Sequence, residues 1–203
     1  SSIKSAMLAI KNHPKLELQV VVAASAILNR YGSVVDLIES DGFTVSARVH
    51  MLIEGESPLT MAKSTGLGMV ELATVFDQLK PNGTLFVNGD DAWGAKVEHP
   101  ESLQIRQNRQ FTIVSDNFHT GLAIAYNNHE FVTPALFGTY NAYNLATAIA
   151  LAHNLGITTD NIQKAIQSYP GTPGRTMRFA LPNGATAVVD YAHNPSSMEA
   201  VLK

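Results

Sequence analysis

Hydrophobic and polar positions alternate along the first part of the chain between a helical and an extended rhythm. Ile3, Met7, Leu8 and Ile10 fall at helical spacing, and His13-Pro14 closes that segment. Leu16 to Ala24 (LELQVVVAA) is a β-rich apolar run of the kind buried on both faces of a parallel sheet. Ser25 can cap a helix reaching Ser40, weakened at Gly32. Phe43 to Leu52 alternates as a strand does, and Pro58 suits the first turn of a helix running to Lys80. Gly66 and Gly68 interrupt that helix, which predicts a kink or close packing there. Pro81-Asn82-Gly83 is a turn, and Thr84 to Asn88 is a short buried strand. This order predicts βαβ units and therefore a parallel sheet.

After Asn88 the texture changes. Leu103 to Ile105 and Phe111 to Val114 read as short strands. Gly121 to Tyr126 and Phe131 to Leu136 flank Asn127-Asn128, a good hairpin turn. Thr139 to Leu155 is a strong helix with Ala142, Leu145, Ala146, Ile149 and Ala150 on its apolar side, stopped by Gly156. Asn161 to Ser168 is a second helix, capped by Asp160 or Thr159. Tyr169 to Arg175 (YPGTPGR) suits an interdomain linker. Met177 to Leu181 and Ala185 to Asp190 form a hairpin, and Pro195 opens a helix that reaches the chain end, so a second α/β domain only begins here.

Composition narrows the function classes. Hydrophobic residues make up 45% of the 203, enough for a sizeable core. The net charge of −3 offers no basic field for a nucleic-acid backbone. With no cysteine, disulfide scaffolds, cysteine nucleophiles and thiolate-bound metals are excluded. No apolar run approaches the ~20 residues of a membrane helix, and the start has no secretory h-region. A soluble, cytoplasmic protein with no nucleic-acid or membrane partner is expected, with a homo-oligomer possible.

Four constellations can carry chemistry. Asp190-Tyr191-Ala192-His193-Asn194-Pro195 comes after the strand Ala187-Val188-Val189, where open α/β sheets bind ligands. Asp190 and His193 there suit a phosphate or ribose, or else Asn194 caps a helix and Asp190 bonds the turn. Asn141 and Asn144 lie at i and i+3 on one helical face. An asparagine carboxamide matches an adenine edge, although Asn141 can equally cap its helix. Arg175, in the linker, has the fork geometry for phosphate, or is simply solvated. Asp90 and Asp91, after the strand TLFVN, can face a metal or a sugar hydroxyl, or cap a helix beginning just beyond them.

Taken together, LKPNGTLFVNGDD, FGTYNAYNLATAIALAHNLGI, PGTPGR and VVDYAHNPSSMEAVL resemble, in order, the Mur ligases, ATP-dependent amide-forming enzymes of peptidoglycan synthesis. The resemblance covers about residues 79–203. DYAHNP is most similar to the branch that adds the third peptide residue to UDP-N-acetylmuramoyl-dipeptide. It implies that Asn141 and Asn144 lie near the adenine of ATP, that Arg175 reaches its phosphates, and that Asp190 and His193 contact the nucleotide. ATP, Mg²⁺ and a UDP-linked amino sugar are the implied cofactors and partner. The family's GRME reads Gly174-Arg175-Thr176-Met177, so its glutamate is displaced or lost.

Residues 3–81 resemble instead the N-terminal domain of hydrolysing UDP-N-acetylglucosamine 2-epimerases. The seam falls near Leu79-Lys80-Pro81. In the epimerases a Gly-Asp-Arg comes after the next strand, whereas Gly89-Asp90-Asp91 stands here. The chain therefore reads as a chimera or composite: residues 1–81 an epimerase-like half, 82–170 a Mur central-domain-like half, and 171–203 a linker and the start of a C-terminal domain. The implied fold is α/β, a Rossmann-like three-layer parallel sheet with a small antiparallel hairpin. The Mur family cradles phosphates with a glycine-rich loop ending in Gly-Lys-Thr or Gly-Lys-Ser, and no such triplet occurs in these residues. The expectation is a partial nucleotide site without ligase turnover. The epimerase's first strand, its arginine-bearing loop and its UDP-holding second domain are likewise unmatched, so no epimerisation is expected either.

Overall fold

The computed structural model describes residues 3–55, 57–76, 83–91, 94–96, 102–192 and 195–202. The chain divides into two compact units, Ser1–Gly83 and Thr84–Lys203. The expected seam at Leu79-Lys80-Pro81 and the site residue His193 lie outside the described residues.

In the first unit, α1 (Lys4–Lys11), β1 (Val20–Ala23), α2 (Val34–Ser40), β2 (Val45–Val49) and α3 (Pro58–Phe76) come in order. β1 and β2 pair in parallel, as the alternation of elements requires. The helix expected from Ser25 to Ser40 is broken. Two 3-10 turns, Ala24–Ile27 and Asn29–Tyr31, end at Gly32 with φ +87°, and only the second half becomes α2. A left-handed residue cannot sit inside an α-helix, so Gly32 does more than weaken it. In contrast, α3 runs through both of its glycines. At Gly68 the reason is close packing: a Cβ there would lie 2.4 Å from the methyl of Met51. Ser64, buried on α3, accepts a 2.9 Å hydrogen bond from the Ile53 backbone N–H, tying the helix to the segment after β2.

The second unit begins with β3 (Leu85–Asn88) and β4 (Ser102–Ile105), paired in parallel from Leu85↔Ser102 to Asn88↔Ile105. An antiparallel meander comes next: β5 (Phe111–Asn117), β6 (Gly121–Tyr126) and β7 (His129–Thr133). The β6–β7 turn has Asn127 and Asn128 both at positive φ, the geometry asparagine tolerates best after glycine. Beyond it lie α4 (Thr139–Asn154), α5 (Thr159–Ser168), the hairpin β8 (Met177–Ala180) with β9 (Thr186–Val189), and α6 (Pro195–Leu202). The architecture is α/β, with parallel pairing in each unit and an antiparallel hairpin. Among the described residues the parallel strands are hydrogen-bonded in pairs. α5 is preceded by Thr158 as N-cap residue, one position before the expected Thr159, and no side chain caps it.

The core of the second unit lies between the meander and α4. Ile105, Phe111, Leu122, Ile124 and Phe131 meet Ala142, Leu145, Ala146, Ile149 and Ala150. β6 is buried on both faces because it is the central strand of the meander. The edge strand β7 is covered by Gln163 of α5, whose amide accepts from Val132 N–H at 3.3 Å and donates to Val132 C=O at 3.2 Å. The β8–β9 hairpin is pinned by Arg178. Its guanidinium donates to the carbonyls of Phe118 and Pro134 and lies against the rings of Phe118 and Phe137.

Phe131 is fully buried, and Val114 is 51% exposed on the same sheet. Phe131→Ala is expected to cost about 3–5 kcal/mol in urea unfolding, and Val114→Ala to stay within about 0.5 kcal/mol.

Candidate functional site

α4 starts at Gly138, which has φ +91° and whose N–H donates to Asp116 Oδ1 at 2.8 Å. Asn141 is not the N-cap. It sits one turn in, buried, and its Nδ2 donates back to the Phe137 carbonyl at 2.8 Å. Its Oδ1 faces Asn144, whose Nδ2 lies 3.4 Å away. One asparagine is therefore spent holding the helix entry and orienting the other. Asn144 is exposed, and its Oδ1 and second amide hydrogen stay open to a ligand. That leaves one acceptor and one donor side by side, the pattern an adenine edge complements.

Tyr140 lies one helical turn before Asn144, about 5–6 Å along the axis. Its partly buried phenol is beside Thr176, with Asp190, Asp116 and Arg175 as charged neighbours. Burial, then the Asp190 and Asp116 carboxylates, push its pKa up against the opposing pull of Thr176 and Arg175. Neither Tyr140 Oη nor Thr176 Oγ1 has a well-formed hydrogen bond, and both oxygens are buried. Thr176 also holds φ +45°, an uncommon conformation for a β-branched residue. Asp190 explains how that backbone is kept: its Oδ2 accepts from Thr176 N–H and its Oδ1 from Ala192 N–H, each at 2.8 Å. Arg175 is exposed and stacks over the ring of Tyr191, 5.7 Å from its centroid. Arg175 and Asp190 are thus both near enough to Tyr140 for their charges to act on its phenol. Asp190 bonds its own turn and still leaves a lone pair on each oxygen.

Asp90 and Asp91 separate in role. Asp91 Oδ1 accepts from Gly94 N–H at 2.9 Å, fixing the short turn Gly94–Lys96 after β3. Asp90 Oδ2 accepts from Tyr143 O–H at 2.7 Å and from Gln107 N–H at 2.6 Å. The Tyr143 hydrogen bond, then the Gln107 N–H, hold the Asp90 carboxyl below its ordinary range, assisted by Arg106 and Arg109. Burial and the bond to Asp90 push Tyr143 up to about 12.

Sequence reasoning missed Tyr140, Tyr143 and Thr176. Each is adjacent in sequence to a residue it did single out, so the signal was position rather than residue type. The donor set at Asn144, Arg175 and Asp190 fits an adenine nucleotide: a carboxamide for the base, a hydroxyl acceptor and a phosphate fork. Among the described residues no three carboxylate or imidazole groups converge, and no step is assigned to a metal.

No protein-family model matches the chain. The UDP-N-acetylmuramate–L-alanine ligase of Nitrobacter winogradskyi is 46% identical over 66 residues, 32% of this chain and 14% of that ligase. That of Lachnoclostridium phytofermentans is 39% identical over 93 residues, 44% of this chain and 20% of the ligase. Among solved structures, the UDP-N-acetylmuramoylalanyl-D-glutamyl-2,6-diaminopimelate–D-alanyl-D-alanyl ligase of Acinetobacter baumannii superposes with TM-score 0.58 at 13% identity, over 93% of this chain and 54% of that one. The UDP-N-acetylmuramate-alanine ligase of Thermotoga maritima gives 0.56 at 13% identity, over 98% and 56%. The chain thus spans about half of the solved enzymes and a fifth or less of these curated relatives. None of these four proteins is an epimerase, and they lend no support to an epimerase-like first half or to a chimeric origin.

The Tyr143–Asp90 bond has a titration signature. An exposed phenol ionises near 10, so the raised value favours the neutral folded form. The contribution of Tyr143 to stability is then full below pH 10 and lost as pH rises toward about 12. In a ¹³Cζ-tyrosine NMR titration the Tyr143 resonance should move only near pH 12, and Asp90→Asn should bring its midpoint down. The chain resembles the Mur ligases in sequence over part of its length and shares their α/β fold over nearly all of it.

Proposed function

We propose that the second unit carries the adenine-nucleotide end of a Mur-ligase-type site. What supports this is that the charges of Arg175 and Asp190 both act on Tyr140, which lies one helical turn before Asn144 on α4. Asn144 takes the base edge, Asp190 accepts from a ribose hydroxyl, and Arg175 forks onto phosphate while Tyr191 stacks beneath its guanidinium. His193, next along the chain, is assigned to the same nucleotide. Asp90 and Asp91 serve the frame of this site, and not a sugar directly.

In the reaction class this implies, ATP when bound supplies the phosphoryl group that activates a carboxylate for attack by an amine. The residues of this chain bind and orient. They include no Gly-Lys-Thr or Gly-Lys-Ser triplet of the phosphate-cradling kind, and a single preorganised donor to developing negative charge can be worth roughly 10²–10³ in rate. We therefore assign to these 203 residues nucleotide binding without ligase turnover. The whole enzyme's partner would be a UDP-linked amino sugar, and DYAHNP favours the branch that adds the third peptide residue. Residues 82–170 read as central-domain-like, and 171–203 as linker and C-terminal domain start. No helix among the described residues is long and apolar enough to cross a membrane.

Isothermal calorimetry tests this reading. ATP should bind weakly, with or without Mg²⁺. Asn144→Ala should weaken it about tenfold, near the worth of one net hydrogen bond, and Arg175→Ala by about 10- to 100-fold. Unchanged affinity in both variants would remove the site. No phosphate release is expected with ATP and a UDP-N-acetylmuramoyl-peptide, and its release would refute the assignment of binding alone.

A further inference from the structure

Tyr143 precedes Asn144 on α4 and reaches a different anchor. Its hydroxyl donates to Asp90 Oδ2 at 2.7 Å, and its ring meets Phe111 edge-on at 5.1 Å. Asp90 stands just beyond the carboxyl end of β3 and is itself held. Its N–H donates to Asn88 Oδ1 at 3.1 Å, and the same Oδ2 accepts from Gln107 N–H just past β4. One carboxylate oxygen therefore ties together the ends of both parallel strands and the second turn of α4. Leu145 and Ile149, packed with Ala142, Ala146 and Ala150, commit the apolar face of α4 to the sheet, and the Tyr143 hydroxyl adds a polar fixed point on its flank. The carboxamide of Asn144 is fixed on its other side by Asn141.

From this geometry we infer that Tyr143 and Asp90 form a positioning pair that refines the rotation left to α4 by its apolar packing, and through it the orientation of the Asn144 carboxamide toward a purine base. The inference rests on the nucleotide reading above and goes beyond it by assigning base selectivity to two residues that do not touch the base. Adenine presents a donor at its 6-position and inosine's base an acceptor, so a fixed carboxamide favours AMP, whereas one free to turn accepts either.

The test compares AMP and IMP binding by calorimetry for the wild-type chain, Tyr143→Phe, Asp90→Asn and Asn144→Ala, with thermal melts alongside. Tyr143→Phe keeps the ring against Phe111 and removes only the donor. AMP affinity should fall roughly 3- to 10-fold, and the AMP-over-IMP preference should narrow, while the variant remains folded at the assay temperature. Asp90→Asn keeps an acceptor, so it should bind AMP better than Tyr143→Phe does. Equal losses for AMP and IMP would mean a merely structural contact and would overturn the inference. So would wild-type selectivity in Tyr143→Phe while Asn144→Ala loses it, and in that outcome the nucleotide site itself survives. A wild-type chain that binds neither nucleotide overturns the proposed function and the positioning pair together.

Discussion

The packing of α4 on the meander is the constraint on which the rest of the second unit depends. Ile124 and Phe131 are fully enclosed on the sheet side, and Ala142, Ala146 and Ile149 on the helix side. Burying these side chains is worth roughly 1.5–3 kcal/mol for each large one. Alanines at three successive turns let the helix lie close to the strands. With that face committed, Tyr140, Tyr143 and Asn144 are left to the flanks of the helix. The polar residues of α4 are placed by its apolar ones.

The hairpin β8–β9 brings the remaining groups to that helix. Arg175 and Thr176 enter β8, and Asp190 leaves β9, so strand pairing from Met177↔Val189 onward sets them side by side. Asp190 then accepts from Thr176 N–H across the open end of the hairpin. A carboxylate at this position serves the local backbone first, and any ligand second. The structural and functional readings of Asp190 are therefore compatible: the hydrogen bonds that hold it also aim it.

Much of this order was legible in the sequence, for reasons that differ by element. α4 was legible because its apolar spacing is helical over four turns and Gly156 stops it. The β6–β7 turn was legible because asparagine is among the few residues that accept positive φ. The segment from Ser25 to Ser40 was not, because its apolar residues keep a helical period through a glycine whose backbone is left-handed. Periodicity reports which side chains share a face and says little about a single φ. Asn141, Asn144, Arg175 and Asp190 were singled out by residue type and spacing together with the Mur-ligase resemblance of the motifs that hold them. Tyr140 and Tyr143 were not, because a tyrosine's role depends on what its hydroxyl reaches, and Thr176 and Asp90 are distant along the chain. The separation of Asp90 from Asp91 was equally hidden: identical neighbours diverge only once Gly94 and Gln107 are in place.

Arg178 grips the hairpin with a guanidinium packed between aromatic rings, and its acceptors are two backbone carbonyls. The anchorage that delivers Arg175 and Asp190 to α4 therefore takes its acceptors from the main chain, and side-chain substitutions at Phe118 or Pro134 that preserve the backbone leave both carbonyls in place.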